Sequence, residues 1–248
     1  MLPKQFLPRK CSSLIRVGSE NDGGYVVDQR SLAEASVLIS FGVNDNWDFE
    51  SESSSSFNLR VKAYDFSVGP VLWIKTALRP LLKGLNLLGA ISGLLKPLYF
   101  RRFFRNPHEF HKKKIGDGSN NTLSLTEIVE NSSGTLFLKM DIEGYEYRVL
   151  PEILKLQRNF SGLAIEFHDL DLHRSRVEDF IEQLDMALVS LHANNTGGCD
   201  SRGDPLVVEM SFSRCLPKDG ERSYDLNALQ AANEPALRDI KLNISHDE

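Results

Sequence analysis

Short apolar runs alternate with amphipathic stretches along most of the chain. This alternation is typical of an α/β fold with a mostly parallel sheet. The connection 193–205 is too short for a helical crossover, so the last two strands should pair antiparallel. We therefore predict a Rossmann-like, mostly parallel seven-stranded sheet with an antiparallel last strand. The predicted strands are 36–41, 60–65, 110–115, 134–141, 162–168, 187–192 and 206–212, and the predicted helices are 47–57, 123–129, 145–157 and 174–186.

The composition is that of an ordinary soluble protein: of 248 residues, 41% are hydrophobic and 25% are charged. These proportions exclude disordered, collagen-like and integral membrane classes, and residues 1–248 can bury a core as a single domain. Three cysteines without CxxC spacing predict neither a disulfide framework nor a cysteine zinc site. Because the N-terminus has no apolar run long enough for a secretory signal, we expect a cytoplasmic protein.

The charge is distributed unevenly along the chain. The formal net charge is −5, but residues 70–114 contain ten basic residues and one acid, a net charge of +9. The remaining residues carry 19 bases and 33 acids, a net charge of −14. Residues 70–108 interrupt the strand pattern and are predicted to form a basic, amphipathic helical insertion. A basic segment within an acidic protein indicates an anionic partner.

Leucines recur at helical spacing in this insertion, at Leu78, Leu81, Leu82 and Leu85. One interpretation is a helical cap on the core or the surface of a homodimer. The other is a pair of interfacial helices that docks on an anionic membrane, or gathers a lipid-linked acceptor, at the inner face of a membrane. Nucleic acid is the least favoured partner because the insertion carries no RNA-binding motif.

Polar side chains follow five of the predicted strands. In an open α/β sheet, ligands bind beyond the carboxyl ends of the strands, near the point where strand order reverses. The convergence of these side chains on one edge predicts a single binding site there. The residues with these side chains are Asn44, Asp65, Asp141, Glu143, Glu166, His168, His192 and Asn194, and Gly42 lies at the same edge directly after the first predicted strand.

Asp65 closes the second predicted strand about two dozen residues after Gly42, a spacing at which an acidic residue takes the ribose hydroxyls of a nucleoside cofactor. A cap or turn role explains Asp65 equally well. Gly42 permits either close approach to a ligand or a plain turn. Because no GxGxxG follows, a dinucleotide pyrophosphate is disfavoured.

Ionisable side chains occur in pairs at two later strand ends. Asp141 and Glu143 share a strand face and could receive a cationic amino group or bind a metal, although Glu143 also suits the first turn of a helix. Glu166 and His168 also share a face, where a carboxylate can orient an imidazole and raise its basicity. His192 is a weaker candidate.

Four segments of the chain together carry a family pattern. They are LKMDIEGYE (138–146), NDGGYVV (21–27), ISFGVND (39–45) with Phe49 and Glu50, and LAIEFH (163–168). These segments resemble the FkbM-type methyltransferases, a family that depends on S-adenosylmethionine and mostly methylates hydroxyl groups of sugars and natural products. Together they span most of residues 20–215 in the expected order, and the basic insertion lies outside the family pattern.

The resemblance implies that S-adenosylmethionine binds at the strand ends. Its cofactor contacts would come from Gly42, Asn44 and Glu50. Asp65 would hold the ribose, and Asp141 and Glu143 would lie near the methionine part.

The expected reaction is O-methylation of a hydroxyl on a saccharide, glycolipid or related natural product. A hydroxyl is a poor nucleophile at neutral pH, so His168 is predicted to act as the base, with Glu166 orienting it and Asp141 completing the catalytic group. His192 and Asn194 are expected to contact the substrate, and this mechanism uses no metal.

Three alternatives remain open from the residues alone. Asp141, Glu166, His168 and His192 could hold a divalent ion that polarises the acceptor. The same edge would also suit a metal-assisted hydrolase or a nucleotide-sugar enzyme. A non-catalytic, membrane-associated scaffold with this fold is the alternative outside enzymes.

Overall fold

The computed structural model describes residues 1–84, 86–116, 118, 122–227 and 229–245, so Leu85 of the leucine spacing lies outside it. Seven α-helices and eleven β-strands lie in the described residues, in the following order along the chain. They are β1 (Leu14–Gly18), β2 (Gly24–Asp28), α1 (Gln29–Glu34), β3 (Val37–Phe41), α2 (Asp48–Phe57), β4 (Arg60–Tyr64), α3 (Pro70–Gly84), α4 (Leu87–Phe103), β5 (Glu109–His111), β6 (Lys114–Ile115), β7 (Thr122–Leu123), α5 (Leu125–Glu130), β8 (Leu136–Met140), α6 (Glu146–Leu156), β9 (Phe160–Phe167), α7 (Leu170–Gln183), β10 (Ala187–Ala193) and β11 (Val208–Ser213).

Seven strands form the central sheet in the order β10-β11-β9-β8-β3-β4-β5. The last strand, β11, lies between β9 and β10 and is antiparallel to both, whereas the other neighbouring pairs are parallel. The predicted Rossmann-like sheet is therefore confirmed. Strand order reverses between β3 and β8, so the ligand crevice of an open α/β sheet is expected at their carboxyl ends.

Strand register places the crevice residues side by side. Phe41 pairs with Met140 across β3 and β8, so Gly42 and Asp141 follow at adjacent positions. Every residue of β3, β8 and β9 is buried, because apolar helices cover both faces of the sheet. The sheet is therefore a fixed base for the loops at its edge.

Two predicted elements differ from the structure, and one hairpin was not predicted. The predicted strand 110–115 is wrong as one strand: Glu109–His111 pairs with β4, and Lys114–Ile115 leaves the sheet to pair with β7. The predicted helix 174–186 begins earlier, at Leu170, because Asp169 turns the chain with a φ of 50° directly after β9. The antiparallel β1–β2 hairpin is additional to the predicted strands.

The basic insertion forms the two helices α3 and α4, as predicted. They pack mainly against each other, and Phe100 joins them to the sheet through ring contacts with Trp47 and Phe110. Within the described ranges, no helix has both the length and the apolar character needed to cross a bilayer.

Candidate active site

A tight backbone contact closes the crevice between β3 and β8. Gly42 has a φ of 76°, and a Cβ at this position would lie 1.6 Å from the carbonyl oxygen of Asp141. Only glycine fits such an approach. The close contact expected of Gly42 is thus made with the protein's own backbone, and the Lys139 ammonium also donates to the Gly42 carbonyl.

The buried Asp65 carboxylate holds two loops together. Its Oδ2 accepts from the N–H groups of Val43 and Asn44 at 3.0 and 2.8 Å. Its Oδ1 accepts from the N–H and the hydroxyl of Ser67 at 2.7 and 2.6 Å. Four donors fill the usual capacity of a carboxylate, so a ribose hydroxyl would have to replace the Ser67 hydroxyl.

Two cavities meet at this edge. The first, of about 400 Å³, is lined by Asp65, by the aromatic rings of Phe66 and Tyr145, and by Lys114. The Lys114 ammonium lies 3.8 Å from the Tyr145 ring centroid and 5.6 Å from that of Phe66. An apolar, aromatic wall beside a buried carboxylate suits a nucleoside.

The second cavity, of about 310 Å³, is polar. It shares four lining residues with the first, so a ligand in one lies directly beside a ligand in the other. The shared residues are Gly42, Asn44, Asp141 and Glu143. The second cavity is further lined by Asp22, Glu50, Lys139, Glu166, His168 and Asn194.

His168 is held from two sides. Its Nδ1 lies 3.1 Å from Oε1 of the buried Glu146, and the Tyr147 hydroxyl donates to its backbone carbonyl at 2.5 Å. The carboxylate that fixes the ring through Nδ1 is therefore Glu146, whereas the sequence predicted Glu166 for this role. Glu166 contacts the ring on its other side, with Oε1 at 3.4 Å from Nε2.

Three carboxylates surround the free face of His168. Nε2 lies 3.9 Å from Asp141, 3.6 Å from Glu143 and 3.4 Å from Glu166. Ligand atoms of Asp141, Glu143 and His168 all lie within 4.8 Å of one another, as a divalent ion would require. Two carboxylates and an imidazole would suit Mn²⁺ or Mg²⁺ with added water ligands.

The charges of this cluster shift one another's titration. Burial lowers the pKa of His168, but its hydrogen bond to Glu146 and the charges of Glu146, Asp141 and Glu143 outweigh burial, so the pKa is raised above 6.5. Burial raises the pKa of Asp141 despite the opposing charges of Lys139 and His168. Burial and the charge of Asp141 raise the pKa of Glu166 well above its usual value. A proton or a cation at this site is thus favoured.

Glu50 and Lys139 lie together beneath the second cavity. Glu50 Oε1 accepts from the Ser40 hydroxyl at 2.5 Å, and burial raises the pKa of Glu50. The Lys139 ammonium lies 3.7 Å from Asp141. Burial lowers the pKa of Lys139, but the charges of Asp141 and Glu50 outweigh this and raise it. Glu50 lines the second cavity, as His168 does, and does not line the first cavity.

Of the two residues predicted to contact the substrate, only Asn194 lies at the candidate site. Asn194 lines the second cavity, and its amide donates to Glu166 Oε1 at 3.1 Å. His192 is buried, with Nε2 at 3.1 Å from Asn233 Oδ1, and lines neither cavity. Its side chain instead packs on the C-terminal segment, so the structure does not bring it to the site.

Three further residues of the site were missed by sequence reasoning. Glu146 and Lys139 both lie within the segment 138–146 that carried the family resemblance, so the signal was present without an assigned role. Asp22 lies in the β1–β2 turn. That turn is seated against the loop after β3, where the Asn46 amide donates to the Asp22 carbonyl at 3.1 Å.

Comparison with known proteins gives a fold likeness only. No family model matches the chain, and no curated protein matches it. Solved structures similar to it include an rRNA methylase from Streptococcus thermophilus, with 15% identity over 74% of this chain and 92% of that chain and a TM-score of 0.36. A precorrin-6y C5,15-methyltransferase from Geobacter metallireducens has 12% identity over 74% and 84%, with a TM-score of 0.37.

A third similar structure is the fibrillarin pre-rRNA processing protein of Methanococcus jannaschii. It has 11% identity over 74% of this chain and 68% of that chain, with a TM-score of 0.38. Scores at this level carry no argument about activity. The fold assignment rests on the strand order of the sheet itself.

Proposed function

We propose that the protein is an S-adenosylmethionine-dependent methyltransferase that O-methylates a hydroxyl group. The observation that carries this proposal is the pair of joined cavities at the strand-order reversal. One of them is shaped for a nucleoside, and the other presents the Nε2 face of His168. The resemblance of segment 138–146 to the FkbM-type methyltransferases supports the same reaction.

The residues of the first cavity fit this cofactor. Phe66 and Tyr145 offer rings to an adenine base, and Asp65 offers a carboxylate to the ribose once Ser67 yields. Asp141 and Glu143, between the two cavities, offer negative charge to the ammonium and sulfonium end. Bound there, the cofactor supplies an electrophilic methyl group.

The residues of the second cavity would activate the acceptor. Methyl transfer to a hydroxyl forms the new O–CH₃ bond, breaks the methyl–sulfur bond and releases the hydroxyl proton. We assign that proton to Nε2 of His168, whose other nitrogen is held by Glu146. A base within hydrogen-bond reach of the hydroxyl increases the reaction rate by about 10²–10⁴-fold. The fixed cavity aligns the acceptor oxygen with the methyl carbon.

The acceptor we propose is a saccharide, a glycolipid or a related polyhydroxylated natural product. Carboxylates and the Asn194 amide line the second cavity, and such groups bind sugar hydroxyls. An anionic membrane contacted through residues 70–108 would present a glycolipid acceptor.

The direct test is a thermal-shift titration of the full chain with S-adenosylhomocysteine, followed by an acceptor screen with glycans and glycolipids. We expect saturable stabilisation and methylated product from at least one hydroxyl acceptor. Absence of stabilisation would favour a hydrolase or a nucleotide-sugar enzyme at this edge. Cofactor binding without turnover on any acceptor would favour a non-catalytic scaffold.

A second mechanism has a specific observation in its favour, the Asp141, Glu143 and His168 cluster. A divalent ion held there would polarise the acceptor hydroxyl directly, and His168 would then be a ligand and not the base. Activity that EDTA abolishes and Mn²⁺ or Mg²⁺ restores would establish this version. Full activity in EDTA would dismiss it and retain His168 as the base.

A further inference from the structure

Small residues form the contact between α3 and α4, whereas large apolar residues form the core of the protein. These small residues of the α3–α4 hairpin are buried: Ala77, Ala90 and Gly93 all lie inside. The helices approach so closely that a Cβ on Gly93 would lie 2.7 Å from the Cα of Ala77. Small residues at a close helix crossing are typical of helices that pack within lipid.

Most leucines of the hairpin are exposed, whereas Phe100 is buried and Trp73 and Phe103 pack against the core. Of the seventeen exposed large hydrophobic side chains among the described residues, eleven lie between residues 71 and 99. Leu82 and Leu88, at the connected ends of the helices, are 86% and 81% exposed. An apolar patch of this density is a binding surface. The eleven are Val71, Ile74, Leu78, Leu82, Leu87, Leu88, Ile91, Leu94, Leu95, Leu98 and Tyr99.

The charges of the hairpin are of one sign and stand apart from its most apolar part. Residues 70–108 contain seven bases and no acid, and residues 86–95 are uncharged. Lys75 and Arg79 on α3, and Arg101 and Arg102 in the last turn of α4, are exposed. Lys83 lies one residue before the end of α3. The uncharged, leucine-rich first half of α4, with basic residues on either side of it in the chain, matches the depth profile of a bilayer surface, in which acyl chains lie below phosphates.

We propose that the α3–α4 hairpin docks on the surface of an anionic lipid bilayer, with its leucines among the acyl chains and its bases among the lipid phosphates. Neither helix can span the bilayer, so the contact is confined to one leaflet.

Two other occupants fit these observations less well. A second copy of the chain across a two-fold axis would bring this basic surface against an identical basic surface. Nucleic acid would leave the uncharged, leucine-rich residues 86–95 without a partner.

The docked hairpin would bring the membrane to the candidate active site. Asp45, in the loop after β3, lines the second cavity. It accepts from the Thr76 hydroxyl at 2.7 Å through Oδ2, and its carbonyl accepts from the Lys96 ammonium at 2.6 Å. This link to a lipid-borne acceptor rests on the proposed function, whereas the docking surface does not depend on it.

The test is flotation of the full chain with vesicles of phosphatidylcholine alone and of phosphatidylcholine with phosphatidylserine. We expect binding at least tenfold tighter to the anionic vesicles, weakened by added salt. The combined variant Leu82→Gln, Leu88→Gln and Leu94→Gln should lose at least tenfold in vesicle affinity. Because these side chains are exposed, the variant should fold, which its far-UV circular dichroism and its thermal unfolding midpoint without ligand verify.

The matched control is Leu172→Gln, an equally exposed leucine on α7 outside the hairpin, which should bind vesicles as the wild type does. The proposal is overturned if the wild type floats with neither vesicle. It is also overturned if the triple variant binds as tightly as the wild type. If light scattering without lipid shows a wild-type dimer that the triple substitution converts to a monomer, a dimer surface would replace the membrane proposal. Binding of RNA without binding of vesicles would replace it with a nucleic-acid surface. Cofactor binding by the same preparations separates failure of this surface from failure of the proposed function.

Discussion

The sheet edge buries polar groups, whereas the α3–α4 hairpin exposes apolar ones. At the sheet edge, polar groups are buried among donors: Asp65 accepts from four, and Glu146 Oε1 accepts from the N–H groups of Ile142 and Gly144 and contacts His168 Nδ1. Among the described residues, Glu146 Oε2 has no hydrogen-bond partner. In the hairpin, leucines are exposed and glycine and alanine are buried. Buried polar groups persist only when hydrogen-bonded, and exposed apolar groups persist when another surface covers them. The sheet edge therefore suits the chemistry that we propose, and the hairpin suits the contact with another surface that we propose.

The largest effect expected from the sheet edge is on turnover. His168→Ala should lower kcat by about 10²–10⁴-fold, because the acceptor hydroxyl loses its base. Binding of S-adenosylhomocysteine, measured by calorimetry, should stay near the wild-type value because the first cavity is unchanged. His192→Gln should retain turnover, since His192 lines neither cavity. Wild-type turnover in the His168 variant would remove the residue from the mechanism.

Two leucine substitutions test the contrast in burial directly. Leu138→Ala, in the fully buried centre of β8, should lower the free energy of unfolding by about 2–5 kcal/mol. Leu88→Ala, in the hairpin, should change it by no more than about 0.5 kcal/mol. Urea denaturation of both variants measures the difference. Equal losses would mean that Leu88 packs within the folded protein, and the contrast between the regions would fail.

Glu146→Gln tests how the site positions its imidazole. Glu146 contributes to the raised pKa of His168, so the wild-type kcat/KM should increase with pH around a midpoint above 6.5. Without the carboxylate, that midpoint should move to lower pH, and activity should fall by about 10–100-fold, as for other orienting carboxylates. A pH profile with an unchanged midpoint would contradict the role assigned to Glu146.

The smallest effect concerns a buried carboxyl beside the site. Burial raises the pKa of Glu209 to about 7, despite its hydrogen bond from Asn233. Because the pKa is higher in the folded state than in the unfolded state, where it is near 4.5, protonation of Glu209 favours the folded state. This contribution to the free energy of unfolding is fully present below pH 4.5 and is lost as the pH rises through about 7. Glu209→Gln should therefore be more stable than the wild type at pH 8, by about 2 kcal/mol at most, and not at pH 4. Urea denaturation at both pH values checks this, and a difference independent of pH would contradict it.

The sequence alone predicted most strands of the sheet and the polar residues at their carboxyl ends. Buried parallel strands are continuous apolar runs, and their carboxyl ends meet at one edge of the sheet. The basic helical insertion was equally readable, since charge and leucine spacing are properties of neighbouring positions. The family resemblance also marked the segment that contains Glu146, Lys139 and Asp141.

Folding decided which residues meet. Glu146 and not Glu166 holds Nδ1 of His168, because α6 begins where its first turn faces the end of β9. His192 turns away from the edge that Asn194 reaches, and Asp65 fills its oxygens with loop donors. Periodicity fixes which face of an element is apolar, but the partner of a polar atom depends on distances between segments far apart in the chain. The inverted packing of the hairpin also became visible only once two helices were placed side by side, since composition cannot tell a buried leucine from an exposed one.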